Sequence, residues 1–340
     1  MKDMFEETIE RVLTDLVTPE LIAAAEEGAW PQALWQAIEE NGLAVAATPE
    51  AQGGVGGSWH DAFVLVRAAG RHAAPVPLAE TLLVNWLLGL AGLDAAPGTA
   101  TFATATGSMD QGRFSGTLNE VPWGRSAGHI LAASGGESPM LVLLPCSDAT
   151  ISEALNTARE PRDTLVFDAV EPLASAPFPT GLPTDALLLG GAMIRSAQIA
   201  GGLARLLDTA IDYANQRTQF GRPIGKFQVI QHQLAQLAEQ TAISAAAAET
   251  AFAASEQAPD SLTIAAAKAV ASEASGQGAA IAHAVLGAIG FTYEHSLHFT
   301  TRRLWSWRSE FGSHTHWSQQ IGSTLCEGGS RNLWPILTSA

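Results

Sequence analysis

Apolar residues recur at two different periods along the chain, and the period changes twice. Phe5, Ile9, Val12, Leu13 and Leu16 fall three or four residues apart, the spacing of one helical face, and Thr18-Pro19 closes the run. Pro31 is placed to open a further helix with Leu34 and Ile38 on one face, and Asn41-Gly42 supplies a left-handed stop. Between residues 97 and 180 the pattern becomes short runs of strand-forming residues, at 99–104, 129–134, 140–145 and 164–170, separated by Gly, Ser and Asp. Long helical periods then return over about 187–216 and 229–256, with a third starting at Asp260-Ser261, a cap after Pro259. Gly191, Gly201 and Gly202 in the first of these would let neighbouring helices approach closely. The expected architecture is mainly α with a central β-domain. An N-terminal helical domain covers 1–96, a reduced antiparallel β-domain 97–180, and a C-terminal bundle of long helices 181–340.

Composition narrows the function. Of the 340 residues 47% are apolar and 15% charged, which supplies a large core. The 18 Lys and Arg against 34 Asp and Glu leave a net charge of −16, which argues against a nucleic-acid partner held by counterion release. Cys146 and Cys326 are far apart and form neither a metal nor a redox spacing, so free thiols in a reducing compartment are expected. The first ten residues are acidic where a signal peptide needs a basic start, and the apolar stretch 82–93 is short and interrupted by Asn85. The expectation is a cytoplasmic protein without a membrane segment.

Several motifs bear on chemistry. The glycine-rich stretch 48–57 (TPEAQGGVGG) is not a P-loop, because no Gly-Lys-Ser/Thr follows it. Glu294 and His298 have i,i+4 spacing near His295, His314 and His316, but no third ligand is well spaced, so no metal is expected. Trp305, Trp307, Trp317 and Phe311 form an aromatic cluster that belongs to a core or a subunit interface. The richest segment is 213–232, YANQRTQFGRPIGKFQVIQH. It places Arg217 at a helix end, where a guanidinium can grip a diphosphate in fork geometry; a tight turn through Gly221, Pro223 and Gly225 follows, and Gln228 opens the next helix.

This segment resembles the Arg-x-x-Phe-Gly signature of the acyl-CoA dehydrogenase family. Two others match in the family's order: the Pro-Glu-x-x-Gly-Gly-x-Gly loop at 49–56, and 285–303 (VLGAIGFTYEHSLHFTTRR), a Gly-rich turn followed by paired arginines. The resemblance implies FAD as cofactor, with Arg217, Gln219, Phe220 and Gln228 serving the FAD of a neighbouring subunit. It also implies Gly287 and Gly290 beside the adenosine diphosphate portion and Trp123 beside the isoalloxazine ring. The substrate would be an acyl-CoA thioester. A carboxylate would take the proton α to the thioester while the β-hydride leaves for the flavin, and an electron-transferring flavoprotein would reoxidise it.

The chain departs from the pattern at the base. One family position, just before a Gly and after the Arg pair, is Phe311 here, with Glu310 one residue early as the candidate catalytic base. The alternative position, on the helix before Arg217, falls near Gly191, with no carboxylate between Asp185 and Asp208. Ala284 stands where a Gln contacting FAD is usual, and the β-domain is short, leaving room for a bulky acyl group such as a steroid fragment. Two functions are compatible with these features. One is an FAD-dependent acyl-CoA dehydrogenase forming a 2,3-enoyl-CoA; the other is a non-catalytic partner subunit completing the FAD site of a heteromeric one. The assembly is correspondingly a homo-oligomer or a heterotetramer with a homologous chain.

Overall fold

The computed structural model describes residues 1–136, 138–327 and 334–335, so the expected limit of the third region at 340 lies outside the described residues. Helices α1 (Lys2–Leu16), α2 (Pro19–Glu26), α3 (Gln32–Glu40), α4 (Trp59–Arg71) and α5 (Leu78–Leu90) form the first region. Thr18-Pro19 does more than end α1. The Thr18 hydroxyl accepts from the Leu21 amide at 3.2 Å and Pro19 occupies the first helical position, so the same dipeptide starts α2. Ser58 and Asp61 close a reciprocal capping box at the start of α4, and Gly42 takes the left-handed conformation (φ 67°) expected of a helix stop.

The central region is one seven-stranded sheet built from β1 (Ala100–Asp110), β2 (Arg113–Pro122), β3 (His129–Ser134), β4 (Met140–Pro145), β5 (Thr150–Ser152), β6 (Arg162–Val170) and β7 (Ala174–Pro177). Its strand order is β5-β6-β2-β1-β3-β4-β7. The sheet is mixed and not purely antiparallel, because β1 pairs with β3 in parallel while the other neighbours run antiparallel. The strands β3 and β4 are buried on both faces. Ile130, Ala132, Val142 and Leu144 join a core within the sheet, whereas Leu131, Ala133, Leu141 and Leu143 pack toward the helices. Their continuous apolar runs follow from that double burial.

Three long helices carry the third region: α6 (Ala186–Gln216), α7 (Gln228–Ala254) and α8 (Ser261–Leu286), followed by α9 (Leu297–Trp307) and α10 (His314–Glu327). A two-stranded hairpin, β8 (Thr218–Gln219) and β9 (Arg222–Pro223), joins α6 to α7. Asp260 caps α8 by accepting from the Thr263 amide at 2.9 Å. By length and apolarity α6 equals a membrane span, yet 94% of its apolar window is buried inside the protein. It is the core helix. Its small residues make that possible: a Cβ on Gly201 would stand 1.9 Å from the Arg67 carbonyl oxygen of α4, so α4 and α6 cross backbone to backbone.

Candidate functional site

Glu310 lies in the turn between α9 and α10, where the three regions meet. Its carboxylate accepts hydrogen bonds from Arg162 Nε and Nη2, each at 2.9 Å, from Arg195 Nε at 2.7 Å and from Asn156 Nδ2 at 3.0 Å. These contacts belong to an alternating chain of eight charges. Glu80 of α5 meets Arg195 of α6 at 2.8 Å, and Arg195 and Arg162 of β6 share Glu310. Arg162 continues to Glu160 at 3.0 Å, Glu160 to Arg303 of α9 at 3.2 Å, and Arg303 to Glu26 of α2 at 3.2 Å; Glu26 ends the chain on Arg302 at 2.5 Å. No member exposes more than 16% of its side chain, and four carboxylates balance four guanidinium groups. Charges this deep persist only when paired throughout. Trp307 adds an indole N–H to Glu160 at 3.0 Å.

The electrostatics of Glu310 run against base catalysis. Burial pushes its carboxyl upward, but Arg162 and Arg195 together outweigh burial and hold it down to about 2. A general base working near neutral pH needs the opposite shift and a lone pair open to substrate. Glu160 is likewise held low: burial raises it, and Arg162 and Arg303 prevail. Burial pushes Lys268 down to about 7 against the pull of Glu310. Its amine donates to the Arg308 and Gly312 carbonyls at 3.0 and 2.8 Å and to Ser272 at 3.0 Å, which fixes the turn that carries Glu310.

The two positions at which the resemblance places a base meet in space, and neither holds a carboxylate. A Cβ on Gly191 would lie 2.5 Å from Cγ of Phe311, so the ring occupies the room a side chain at 191 would need. Phe311 also stacks on Phe102 of β1, with centroids 5.2 Å apart, and Arg195 lies 5.5 Å from its centroid. Phe311 and Gly312 both have positive φ, 54° and 95°, which turns the ring inward at this point.

The remaining candidates lie elsewhere. Arg217 ends α6, and Gln219, Phe220 and Gln228 follow through the hairpin; all four are exposed. Phe220 is 93% exposed at φ 51°, and the side chains of Arg217, Gln219 and Gln228 have no hydrogen-bond or ion-pair partner among the described residues. Gly287 is exposed in a backbone conformation (φ 64°, ψ −141°) that only glycine adopts readily, with no atom within 4 Å of an added Cβ. Gly290 is buried against Leu286 and Leu297, so its small size serves internal packing. Trp123 (φ 57°) lines a cleft of about 160 Å³ with the α2–α3 turn, Arg159 and Pro161, a cleft whose lining does not include Glu310. Sequence reasoning missed His283. It is 8% exposed, stacks between Phe291 and Trp305, and has no partner at either ring nitrogen among the described residues. A histidine one residue from Ala284 was the only signal.

Residues 1–96 match the acyl-CoA dehydrogenase N-terminal domain and residues 185–314 the C-terminal domain of the same family. The acyl-CoA dehydrogenase IpdE2 of Mycobacterium tuberculosis is 32% identical over 310 residues, covering 89% of this chain and 90% of IpdE2. The chain belongs to the acyl-CoA dehydrogenase family. The acyl-CoA dehydrogenase FadE34 of Mycobacterium tuberculosis is 31% identical over 86% of this chain, which spans only 42% of FadE34. Among solved structures, the Tcur3481–Tcur3483 steroid ACAD superposes with a TM-score of 0.87 at 26% identity, covering 97% of this chain and 98% of that one.

Membership raises the question whether the residues present fit FAD. Inside the chain they do not. The β5–β6 loop meets the C-terminal helices directly: the Ala158 amide donates to Ser306 Oγ at 3.2 Å, and Glu160 and Arg162 bond to Trp307 and Glu310. Ion pairs and the Phe311 ring fill the junction between the regions at Glu310 and leave no opening there for a ring system. On the outer surface the fit is better. Arg217, Gln219, Gln228 and Gly287 are exposed with unused hydrogen-bonding capacity, and His283 carries orphaned polar atoms four residues before Gly287.

Proposed function

We propose that this chain is the partner subunit of a heteromeric acyl-CoA dehydrogenase, completing the FAD site of a homologous chain that carries the catalytic carboxylate. The observation that carries this reading is the contact of Phe311 with Gly191, which puts an apolar ring and a missing side chain at both base positions. FAD, when bound, would supply the hydride acceptor, and the partner's carboxylate would take the α-proton. Arg217 would hold the diphosphate, and Gln219 and Gln228 would add amide hydrogen bonds from the same exposed corner. Phe220, held out at the hairpin tip, packs against the partner. The exposed residues of α7 include Val229, Gln231, Ala235, Ala242, Ile243 and Ala246 and a single carboxylate, Glu239, a surface suited to burial against that chain. The likeness to a steroid ACAD favours an acyl-CoA with a bulky, steroid-derived acyl group, held by the partner because the junction in this chain is closed.

Glu310 separates this reading from an autonomous dehydrogenase. The chain should be purified alone and with a homologue that keeps a Glu at the base position, then assayed for 2,3-enoyl-CoA formation with an artificial electron acceptor. The expected result is turnover only in the mixed complex, unchanged by Glu310→Gln in this chain once folding is verified. Turnover by this chain alone that disappears in Glu310→Gln would overturn the proposal and return the base to Glu310.

A further inference from the structure

A cleft of about 370 Å³ opens between the first and third regions, where the ends of α1, α2 and α4 meet α6 and the start of α9. Neither Glu310 nor any residue of the β8–β9 hairpin lines it. Its floor is apolar: Ile22, Ala73 and Phe299 form a small buried cluster with Val17 packed on it, separate from the three larger cores. Its rim carries Arg71, Arg205, Ser296 and Thr300. Arg71 donates to Asp208 at 2.7 Å, and His72 pairs with Glu10 at 2.8 Å. The Arg205 side chain is exposed and has no hydrogen-bond or ion-pair partner among the described residues. Ser296 precedes α9 and makes no capping bond, so the amide end of this 11-residue helix adds partial positive charge to the same rim. Thr300 is an independent sign of a ligand. It is only 7% exposed, and a helical threonine ordinarily returns its hydroxyl to the carbonyl four residues back, as Thr301 does to Leu297 at 3.3 Å. Thr300 instead turns its methyl group to Gly202 of α6, 3.6 Å from where a Cβ would stand there, and its hydroxyl has no partner among the described residues. A valine would fill the same space without the cost of an unmade hydrogen bond.

We propose that this cleft binds a small organic carboxylate, its hydrocarbon part on the Val17, Ile22, Ala73 and Phe299 floor and its charged end among Arg205, Arg71, Ser296 and Thr300. The site is separate from flavin and thioester and does not depend on the partner-subunit reading. Three features select the ligand. Guanidinium groups, hydroxyls and a helix N-terminus together select an anion that accepts several hydrogen bonds. The apolar floor selects a hydrocarbon body, which an inorganic ion lacks, and the volume lies at the lower end of the roughly 300–1,000 Å³ of small-molecule pockets. Glu10 on the same rim favours a single negative charge. Its hydrogen bond with His72 holds its carboxyl below the ordinary range, so it stays ionised and repels a dianion more than a monoanion. A ligand here bridges α1, α2 and α4 to α6 and α9, and should stabilise the contact between the two regions.

The test uses hexanoate as the probe, with hexanol and inorganic phosphate as controls, each titrated into the purified full chain by calorimetry and by thermal melting. Hexanoate is expected to bind saturably at one site per chain and to raise the melting temperature. Hexanol keeps the hydrocarbon without the charge, and phosphate the charge without the hydrocarbon, so each should bind at least about tenfold more weakly. Phosphate or hexanol binding as tightly as hexanoate would overturn the assignment to a carboxylate. Arg205→Gln is expected to weaken hexanoate at least about tenfold while melting with the wild type, because the side chain has no partner to lose among the described residues. Thr300→Val keeps the packing on Gly202 and should bind hexanoate more weakly while melting at the same or a higher temperature. A Thr300 of purely structural role would give the reverse, a lower melting temperature with unchanged binding. If the wild type takes up no hexanoate at millimolar concentration, or both variants bind it normally, the inference fails.

Discussion

The turn around Glu310 and the surface around Arg217 and His283 are finished to opposite degrees. Around the turn every buried charge has a polar partner: the eight-member chain runs from Glu80 to Arg302, Lys268 spends its amine on two carbonyls and a hydroxyl, and Phe311 fills the space over Gly191. At the outer surface Arg217, Gln219 and Gln228 have no partner among the described residues, Phe220 stands in solvent, and His283 is buried with both nitrogens idle. A chain that held its own substrate and flavin would show an open junction between regions, while its exposed Arg217 and Gln228 would look the same, because the resemblance gives them to a neighbouring subunit's FAD. The closed junction is therefore the half of the contrast that discriminates.

Breaking the closed region should have the largest effect. Arg195→Ala strands Glu80 in the interior and leaves Glu310 with Arg162 as its remaining guanidinium partner, and its expected cost is about 3–5 kcal/mol, read as a fall in the urea midpoint or as failure to fold. An unchanged midpoint would mean that the chain of charges contributes no structure. Next comes acid sensitivity. The folded carboxyl of Glu310 titrates at about 2 against an ordinary 4.5, so its stabilisation is complete above 4.5 and is lost as pH falls from there toward 2. The urea midpoint of the wild type should drop through that window, and Glu310→Gln should start lower and drop less.

Smaller effects sharpen the same comparison. Gly191→Ala drives a methyl into the Phe311 ring and should cost about 1–3 kcal/mol. Phe311→Leu should relieve part of that cost, and strictly additive effects in the double-mutant cycle would contradict the contact. Arg217→Ala marks the lower end. With no partner to lose among the described residues, it should alter stability by less than about 0.5 kcal/mol, while the mixed complex loses flavin on gel filtration. A large stability loss with flavin content intact would make Arg217 structural.

Local signals in the sequence read well and distant ones did not. The long helices announced themselves through caps and breakers. Asp260 does cap α8, Gly42 does stop the chain after α3, and the boundaries of α6 and α7 fall within two residues of their apolar periods. Thr18-Pro19 was half read, since one dipeptide both ends and begins a helix. β2, β5 and β7 went unseen because their half-exposed strands lack the dense apolar runs of β3 and β4. The parallel pairing of β1 with β3 is a non-local choice that no residue pattern encodes. The site divides the same way. Arg217 and Gln228 are legible as a motif on one hairpin. Glu310 was found, but its role depends on Arg162, Arg195 and Asn156, more than a hundred residues away in each case. Spacing alone could not reveal that they hold it as an ionised structural partner.

The most direct measurement is a flavin count. The chain should be purified alone and together with a base-carrying homologue, and flavin absorbance at about 450 nm divided by protein chains. The account predicts a colourless chain on its own and one flavin per unlike pair in the complex. A yellow homo-oligomer holding one flavin for every copy of this chain would contradict it.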